Sequence, residues 1–150
     1  MKIIAHRGLL SGPDKDKENR PEQILYALSL GFDVEVDLWR IGNKLYLGHD
    51  NPQYEIQESF LDTKRFWIHA KNFAALEWLN TTEEAYNYFW HDVDGYTLTS
   101  RNFIWTTNKA IHSENTVIVI PNYPQNSKSY KCYAICCDYG IFSIDTTPTI

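Results

Sequence analysis

Short apolar runs, separated by loops or by helical patches, make up the chain. Strict alternation between apolar and acidic residues over 32–39 predicts a β-strand. Apolar residues at helical spacing, with Pro21 before them and Gly31 after them, predict a helix over 21–30. Further helices are predicted over residues 73–79 and 127–138. Further strands or strand-length runs are predicted over residues 2–5, 44–48, 66–70, 87–91, 96–98, 103–106, 116–120 and 140–145.

The succession of strand, helix and strand is the rhythm of parallel α/β proteins. In the second half of the chain the connections are too short for full crossover helices. We therefore expect one domain over residues 1–150, with the fold of a compact, reduced TIM-type (β/α) barrel that has several short or missing outer helices.

Most of the apolar runs end in polar groups able to bind a metal, move a proton or pair with phosphate. These groups are His6 and Arg7, Glu35 and Asp37, His49 and Asp50, His69 and Lys71, and His91 and Asp92. The carboxyl ends of parallel strands meet at one rim of such folds and build the active site there, so the coincidence indicates a site. Asp145, after the last run, is interpreted as a structural strand terminator.

The acidic strand carries a second signal. Asp33, Glu35 and Asp37 project from one face, and successive acids stand roughly 6–7 Å apart. They repel one another unless water or a cation intervenes, although a solvated acidic face on an antiparallel strand would need no ion. His6 and His49, on either side in the sequence, favour the divalent cation.

Composition and charge restrict the partners. The 150 residues carry 14 basic and 19 acidic side chains, a net charge of −5, and no basic patch stands out, so no nucleic-acid partner is expected. The charged run over 14–20 is interpreted as a solvated loop. No apolar run approaches the roughly 18 residues that span a bilayer, and no signal-peptide pattern opens the chain. Three cysteines, an odd number with a vicinal pair, predict free thiols and a cytoplasmic protein.

Several motifs occur in a characteristic order: Ile4-Ala5-His6-Arg7-Gly8, Pro21-Glu22, Asp33, Glu35-Val36-Asp37 and His49-Asp50. This order resembles the signature of the glycerophosphodiester phosphodiesterase family, within the superfamily of barrels related to phosphatidylinositol-specific phospholipase C. Residues 68–71 are similar to the family's third-strand E-x-K motif, and residues 143–148 to its closing T-D-x-P segment. The resemblance implies a short, divergent member with a TIM-barrel fold.

For activity, the resemblance implies metal-dependent hydrolysis of a small phosphodiester: a glycerophosphodiester, or a glycerol-phosphate or sugar-phosphate diester. It implies that His6 and His49 form the general acid/base pair, and that Arg7 and Lys71 bind the phosphate. Two imidazoles near neutral pKa can give and take the protons that the reaction moves, but the sequence does not assign which does which.

The same resemblance implies a divalent cation bound by Glu35 and Asp37. At the third ligand position, where the family pattern has Glu, this chain has His69. Mg²⁺ or Ca²⁺ is the expected ion, and the imidazole admits Mn²⁺ or Zn²⁺ because nitrogen suits these better than it suits hard ions. The alternative interpretation is that His69 marks a site that has lost its metal.

Three further residues are candidates for the pocket: Glu22, His91 and Trp105. Two alternative functions remain open. One is a lyase in the manner of sphingomyelinase D, which releases a cyclic phosphate, and the other is a catalytically silent barrel that binds a phosphorylated ligand. The oligomeric state is also open, and a homodimer is one alternative, because a second copy would cover the apolar flanks that a reduced barrel leaves exposed.

Overall fold

The computed structural model describes residues 1–110, 112–122 and 129–144. Its helices are α1 (Pro21–Ser29) and α2 (Phe73–Thr81), with 3₁₀ turns at His6–Gly8, Glu58–Phe60 and Gly140–Ser143. Its strands are β1 (Lys2–Ala5), β2 (Asp33–Ile41), β3 (Lys44–Leu47), β4 (Tyr54–Ile56), β5 (Phe66–Ala70), β6 (Tyr88–Phe89), β7 (Tyr96–Leu98), β8 (Ile104–Thr106), β9 (Thr116–Val119) and β10 (Ala134–Cys137).

All ten strands belong to one curled, mixed sheet. Its parallel part runs in the spatial order β6, β5, β2, β1, β10, β9, β8. The antiparallel strands are β3 against the second half of β2, β4 against β3, and β7 against β8. The Ser100 amide, just after β7, donates to the Tyr88 carbonyl oxygen over 2.8 Å. The curl therefore brings the segment after β7 against β6.

The prediction of a TIM-type barrel is wrong. In the described ranges the structure has two α-helices, and the sheet is a curled, mixed half-barrel rather than a ring of alternating strands and helices. The two helices lie in connections that are long enough to form a helix, between β1 and β2 and between β5 and β6. The outer face of β9 and β10 is instead covered by side chains such as Tyr130 and Cys132 from the segment before β10.

The predicted strands over 2–5, 66–70 and 96–98 are confirmed with the same bounds. The helix predicted over 127–138 is wrong, because its described part contains β10. That strand lies between β1 and β9 and is buried on both faces, so it lacks the alternation that identifies a half-buried strand. The strand predicted over 140–145 is a 3₁₀ turn up to Ser143. Asp145 and most of the predicted closing segment lie outside the described residues.

Two apolar layers hold the sheet. On the outside, α1 and α2 pack against alternate residues of β2 and β5, such as Val36 and Ile68, both fully buried. Burying one such side chain contributes about 1.5–3 kcal/mol. On the inside, aromatic rings fill the curl, with Phe89 stacked on Trp105 at 4.5 Å between ring centroids and Trp67 at 6.0 Å from Trp105. These rings fill the interior of the curled sheet. The polar residues lie beyond them, at the carboxyl ends of the strands.

Local signals in the sequence define both helices. Pro21 occupies the first turn of α1, and the Asn72 side chain caps α2 by accepting a hydrogen bond from the Ala75 amide at 3.0 Å. Within the described ranges, no helix has the length and apolar character needed to span a membrane. All three cysteines are free, as predicted.

Candidate active site

The alternation along β2 places its three acidic residues on the inner face of the curled sheet. From Asp33 to Glu35 to Asp37, each lies closer to the carboxyl end of the strand than the one before. Asp33, the lowest, accepts hydrogen bonds from Lys2 Nζ and Trp67 Nε1, both at 3.0 Å. Both bonds go to Oδ2 and hold the Asp33 side chain in place. Glu35 and Asp37 lie one and two steps higher, where the aromatic filling ends.

A cavity of about 230 Å³ opens at this level. It is lined by His6, Arg7, Glu35, Asp37, His49, His69, His91, Trp105, Thr107 and Val119. Four of the five histidines of the chain thus converge on one cavity. Of the other sequence-predicted site residues, Lys71 lies beside it, with Nζ 3.9 Å from Asp37 Oδ1. Glu22 is exposed on α1 and does not line the cavity.

Asp37 is the most heavily contacted carboxylate of the site. Its Oδ2 accepts a hydrogen bond from Asn19 Nδ2 at 2.8 Å, and its own amide donates to Asn19 Oδ1 at 2.9 Å. Arg7 Nε lies 3.5 Å from Oδ2, and His69 Nδ1 lies 3.2 Å from Oδ1. Burial alone would raise the pKa of Asp37, but the His69 contact and the Arg7 charge outweigh it and hold the pKa below its ordinary value.

Glu35 is buried with fewer partners. It is 2% exposed, and its Oε2 accepts a hydrogen bond from the Arg7 amide at 3.1 Å. The same oxygen lies 3.9 Å from His6 Nε2. Burial, together with the negative charge of Asp37, raises the pKa of Glu35. The two neighbouring carboxyl groups therefore need a proton or a cation between them if both are to stay buried.

His6 is oriented by a carboxylate from the far end of the chain. Because Ala5 pairs with Cys137 in the β1–β10 register, the residues that follow these strands lie side by side. His6 Nδ1 donates to Asp138 Oδ1 over 2.7 Å, which leaves Nε2 on the side of Glu35. Burial lowers the pKa of His6, but the Asp138 hydrogen bond and the Glu35 charge outweigh it, so the net shift is upward.

His49 has a similar arrangement. It follows β3, which the antiparallel hairpin with β2 brings to the rim of the cavity. Its Nδ1 lies 2.9 Å from Asp50 Oδ1, so Nε2 is the ring nitrogen left for another partner. The two histidines named as an acid/base pair thus each have a carboxylate at Nδ1.

His69 is held by ring stacking. Its ring lies parallel to those of Phe89 and His91, at centroid distances of 5.0 and 4.9 Å. Its Nε2–H donates to the His91 carbonyl oxygen over 3.4 Å. His69 therefore has a fixed orientation with Nδ1 on the side of Asp37. Separately, burial lowers the pKa of His91, and the neighbouring charges of His69 and Lys71 lower it further.

The three predicted metal ligands are brought together. Ligand atoms of Glu35, Asp37 and His69 all lie within 4.8 Å of one another. Divalent ions bind oxygen and nitrogen ligands at about 2.0–2.6 Å, so one ion can bridge this set after small adjustments. Two buried carboxylates and an imidazole fit a divalent cation, and the cation would also relieve the repulsion between the carboxylates.

Sequence analysis missed three residues of the site: Glu18, Asn19 and Asp138. Glu18 accepts a hydrogen bond from Arg7 Nη1 at 2.9 Å, and Asn19 is fully buried against Asp37. Both lie in the charged run that was interpreted as a solvated loop. The available signal for Asp138 was its position after the apolar run of β10, and the wrong helix prediction concealed it.

No family model matches the chain, and neither a curated protein nor a solved structure matches it. Its function therefore has to be inferred from the chemistry of the cavity.

Proposed function

We propose that the protein is a metal-dependent phosphodiesterase that hydrolyses a glycerophosphodiester, or a similar glycerol-phosphate or sugar-phosphate diester. The observation that carries this proposal is the convergence of two imidazoles, His6 and His49, with two buried carboxylates, Glu35 and Asp37, on one cavity. The resemblance of the motifs to glycerophosphodiester phosphodiesterases supports the same chemistry.

Charge explains how the cavity would hold the substrate. A phosphodiester carries one negative charge, and attack at phosphorus places more charge on its non-bridging oxygens. Arg7 lines the cavity with its guanidinium anchored to Glu18. Lys71 lies next to Asp37. Both cations are thus held at the site before the substrate arrives, so they stabilise the developing charge without reorganising.

The histidine pair supplies proton transfer. One imidazole takes the proton of the attacking water or hydroxyl group, and the other gives a proton to the leaving alkoxide. For His6, the Asp138 carboxylate at Nδ1 leaves Nε2 to exchange the proton. For His49, Asp50 takes the same position. Each transfer of this kind contributes roughly 10²–10⁴-fold to the rate.

Glu35, Asp37 and His69 would hold the divalent cation, which when bound supplies Lewis-acid stabilisation of the phosphoryl oxygens. The roles proposed for Arg7, Lys71 and the two histidines follow from the motif resemblance and are supported by the contacts already described. They do not depend on which ion is bound.

The volume of the cavity restricts the substrate. At about 230 Å³ it is below the roughly 300–1,000 Å³ of pockets that enclose drug-sized ligands. Trp105 and Val119 form the apolar part of its wall. A phosphate with a small alcohol fits inside, and the remainder of a larger diester would have to lie outside the rim.

The test measures turnover of a chromogenic phosphodiester and of glycerophosphodiesters, with added Mg²⁺ or Mn²⁺ and with EDTA. We expect activity that EDTA removes and that His6→Ala or His49→Ala lowers by about 10²–10⁴-fold. His112→Ala is the matched control, because this histidine does not line the cavity. Circular dichroism verifies that each variant is folded.

Normal turnover in either cavity variant would contradict the acid/base roles. Phosphorus NMR of the product separates hydrolysis from the lyase alternative, because a lyase releases a cyclic phosphate. Binding of glycerol phosphate without turnover in the presence of any divalent ion would show a silent binding protein instead of an enzyme.

A further inference from the structure

One ligand of the candidate metal set is a nitrogen atom. We propose that His69 makes this site selective for a borderline transition ion, Mn²⁺ or Zn²⁺, over Ca²⁺. The inference rests on the proposed function and identifies the class of ion that the same site holds.

The hydrogen bond at one nitrogen of His69 prepares the other nitrogen as a ligand. Nε2–H donates to the carbonyl oxygen of His91, so Nδ1 is the ring nitrogen that a cation can bind. Histidine ligands of metals usually donate their second ring N–H in this way, often to a backbone carbonyl. Nδ1 faces Asp37 Oδ1 at 3.2 Å. Two electron-rich atoms at this separation need a proton or a cation between them.

The protein supplies few oxygen donors for Ca²⁺. This ion takes about 6–8 oxygen ligands. Asp37 Oδ2 already accepts a hydrogen bond from Asn19, and Glu35 Oε2 accepts one from the Arg7 amide. The oxygens left for a cation are therefore Asp37 Oδ1, which lies 3.2 Å from His69 Nδ1, and Glu35 Oε1.

The ring of His69 has little freedom to leave the site. It is stacked against Phe89 and His91, with interplanar angles of 15° and 6°. Because the rings of His69 and His91 are parallel, their nitrogen lone pairs do not converge on one point, so His91 does not join the set. The result is three protein ligand atoms, two oxygens and one nitrogen, around an open cavity, and catalytic zinc sites likewise combine three protein ligands with an open position.

The experiment measures ion binding rather than turnover. Isothermal titration of the metal-free protein with MnCl₂, ZnCl₂ and CaCl₂ gives the affinities, and electron paramagnetic resonance reports bound Mn²⁺. We expect one site that binds Mn²⁺ and Zn²⁺ at least about tenfold more tightly than Ca²⁺. His69→Ala should weaken Mn²⁺ and Zn²⁺ binding by at least about tenfold, because changes even to residues behind a ligand cost about 10–100-fold.

Two further variants sharpen the test. His69→Glu restores a carboxylate and should narrow or reverse the preference against Ca²⁺. His112→Ala removes an imidazole outside the cavity and should leave all three affinities unchanged. If His69→Ala does not fold, His69→Gln removes the ring nitrogen while keeping a side chain of intermediate length.

Equal affinity of the protein for Ca²⁺ and Mn²⁺, or full Mn²⁺ affinity in the folded His69 variants, would overturn the inference and leave the proposed phosphodiesterase intact. If none of the ions binds while the protein turns over a phosphodiester in EDTA, both the inference and the metal dependence fail. Binding that Glu35→Gln abolishes but His69→Ala does not would also overturn it, since the ion would then be held by the carboxylates alone.

Discussion

The part of the cavity lining that comes from residues 6–69 is a charged, densely hydrogen-bonded wall, whereas Trp105, Thr107 and Val119 form a largely apolar wall. Burying a charged group costs free energy, so each one on the charged wall has a hydrogen-bond or ion-pair partner, such as Glu18 for Arg7. The apolar wall needs no such partners, and its Trp105 is held by stacking on Phe89. The comparison shows that most of the titratable groups of the cavity lie on the charged wall, whereas the apolar wall contributes mainly shape.

The largest expected effect comes from removing a hydrogen-bond partner of a charged group on the charged wall. Asn19→Ala leaves the buried Asp37 carboxylate and its amide without their partner at 2.8 and 2.9 Å. We expect a loss of about 3 kcal/mol in the free energy of unfolding. Urea unfolding measures it as a lower midpoint with an unchanged slope. Asn51→Ala, at an exposed position, is the control, and equal stability of both variants would refute the role of Asn19.

The next effect tests the Asp138 carboxylate, which orients His6 on the charged wall. Asp138→Asn removes the negative charge at His6 Nδ1 and should lower kcat by about 10²-fold. The carboxylate stabilises the protonated imidazole, so its loss lowers the pKa of His6. The limb of the pH–rate profile that reports His6 should therefore move to lower pH.

For this prediction Asp94→Asn, at an exposed position outside the cavity lining, is the matched control. A drop in kcat with an unchanged pH profile would assign Asp138 a purely structural role.

The smallest effect is expected on the apolar wall. Trp105→Phe keeps an aromatic ring but enlarges the cavity, so we expect KM to rise by no more than about tenfold with kcat nearly unchanged. Steady-state kinetics on glycerophosphodiesters measures both. A fall in kcat as large as that of Asp138→Asn would show that this wall contacts the reacting atoms, and the division between the two walls would no longer hold.

Much of the local structure was predictable because it depends on short patterns. The alternation in β2 identified a strand and placed Glu35 and Asp37 on the same face. The polar residues at strand ends identified seven of the residues that line the cavity, and the structure brings them together. Glu22 was misplaced because the position of a helix surface relative to the rim depends on how α1 packs, which a motif does not specify.

The overall architecture was not predictable in the same way. A parallel rhythm is shared by closed barrels and by curled sheets, and the difference lies in how many outer helices the connections can form. β10 was mistaken for a helix because a short run that is buried on both faces has no period to identify it. Asp138 was missed for the same reason.

By itself the sequence determined which side chains share a face of each strand, because alternation is a property of the extended backbone within a few residues. It also determined how many imidazole and carboxylate groups are available to form a site. Only the tertiary structure decided that β10 lies beside β1, which places Asp138 against His6 across 132 positions of chain. That pairing is selected by the packing of the whole sheet, since any buried strand of similar length satisfies the local pattern equally well.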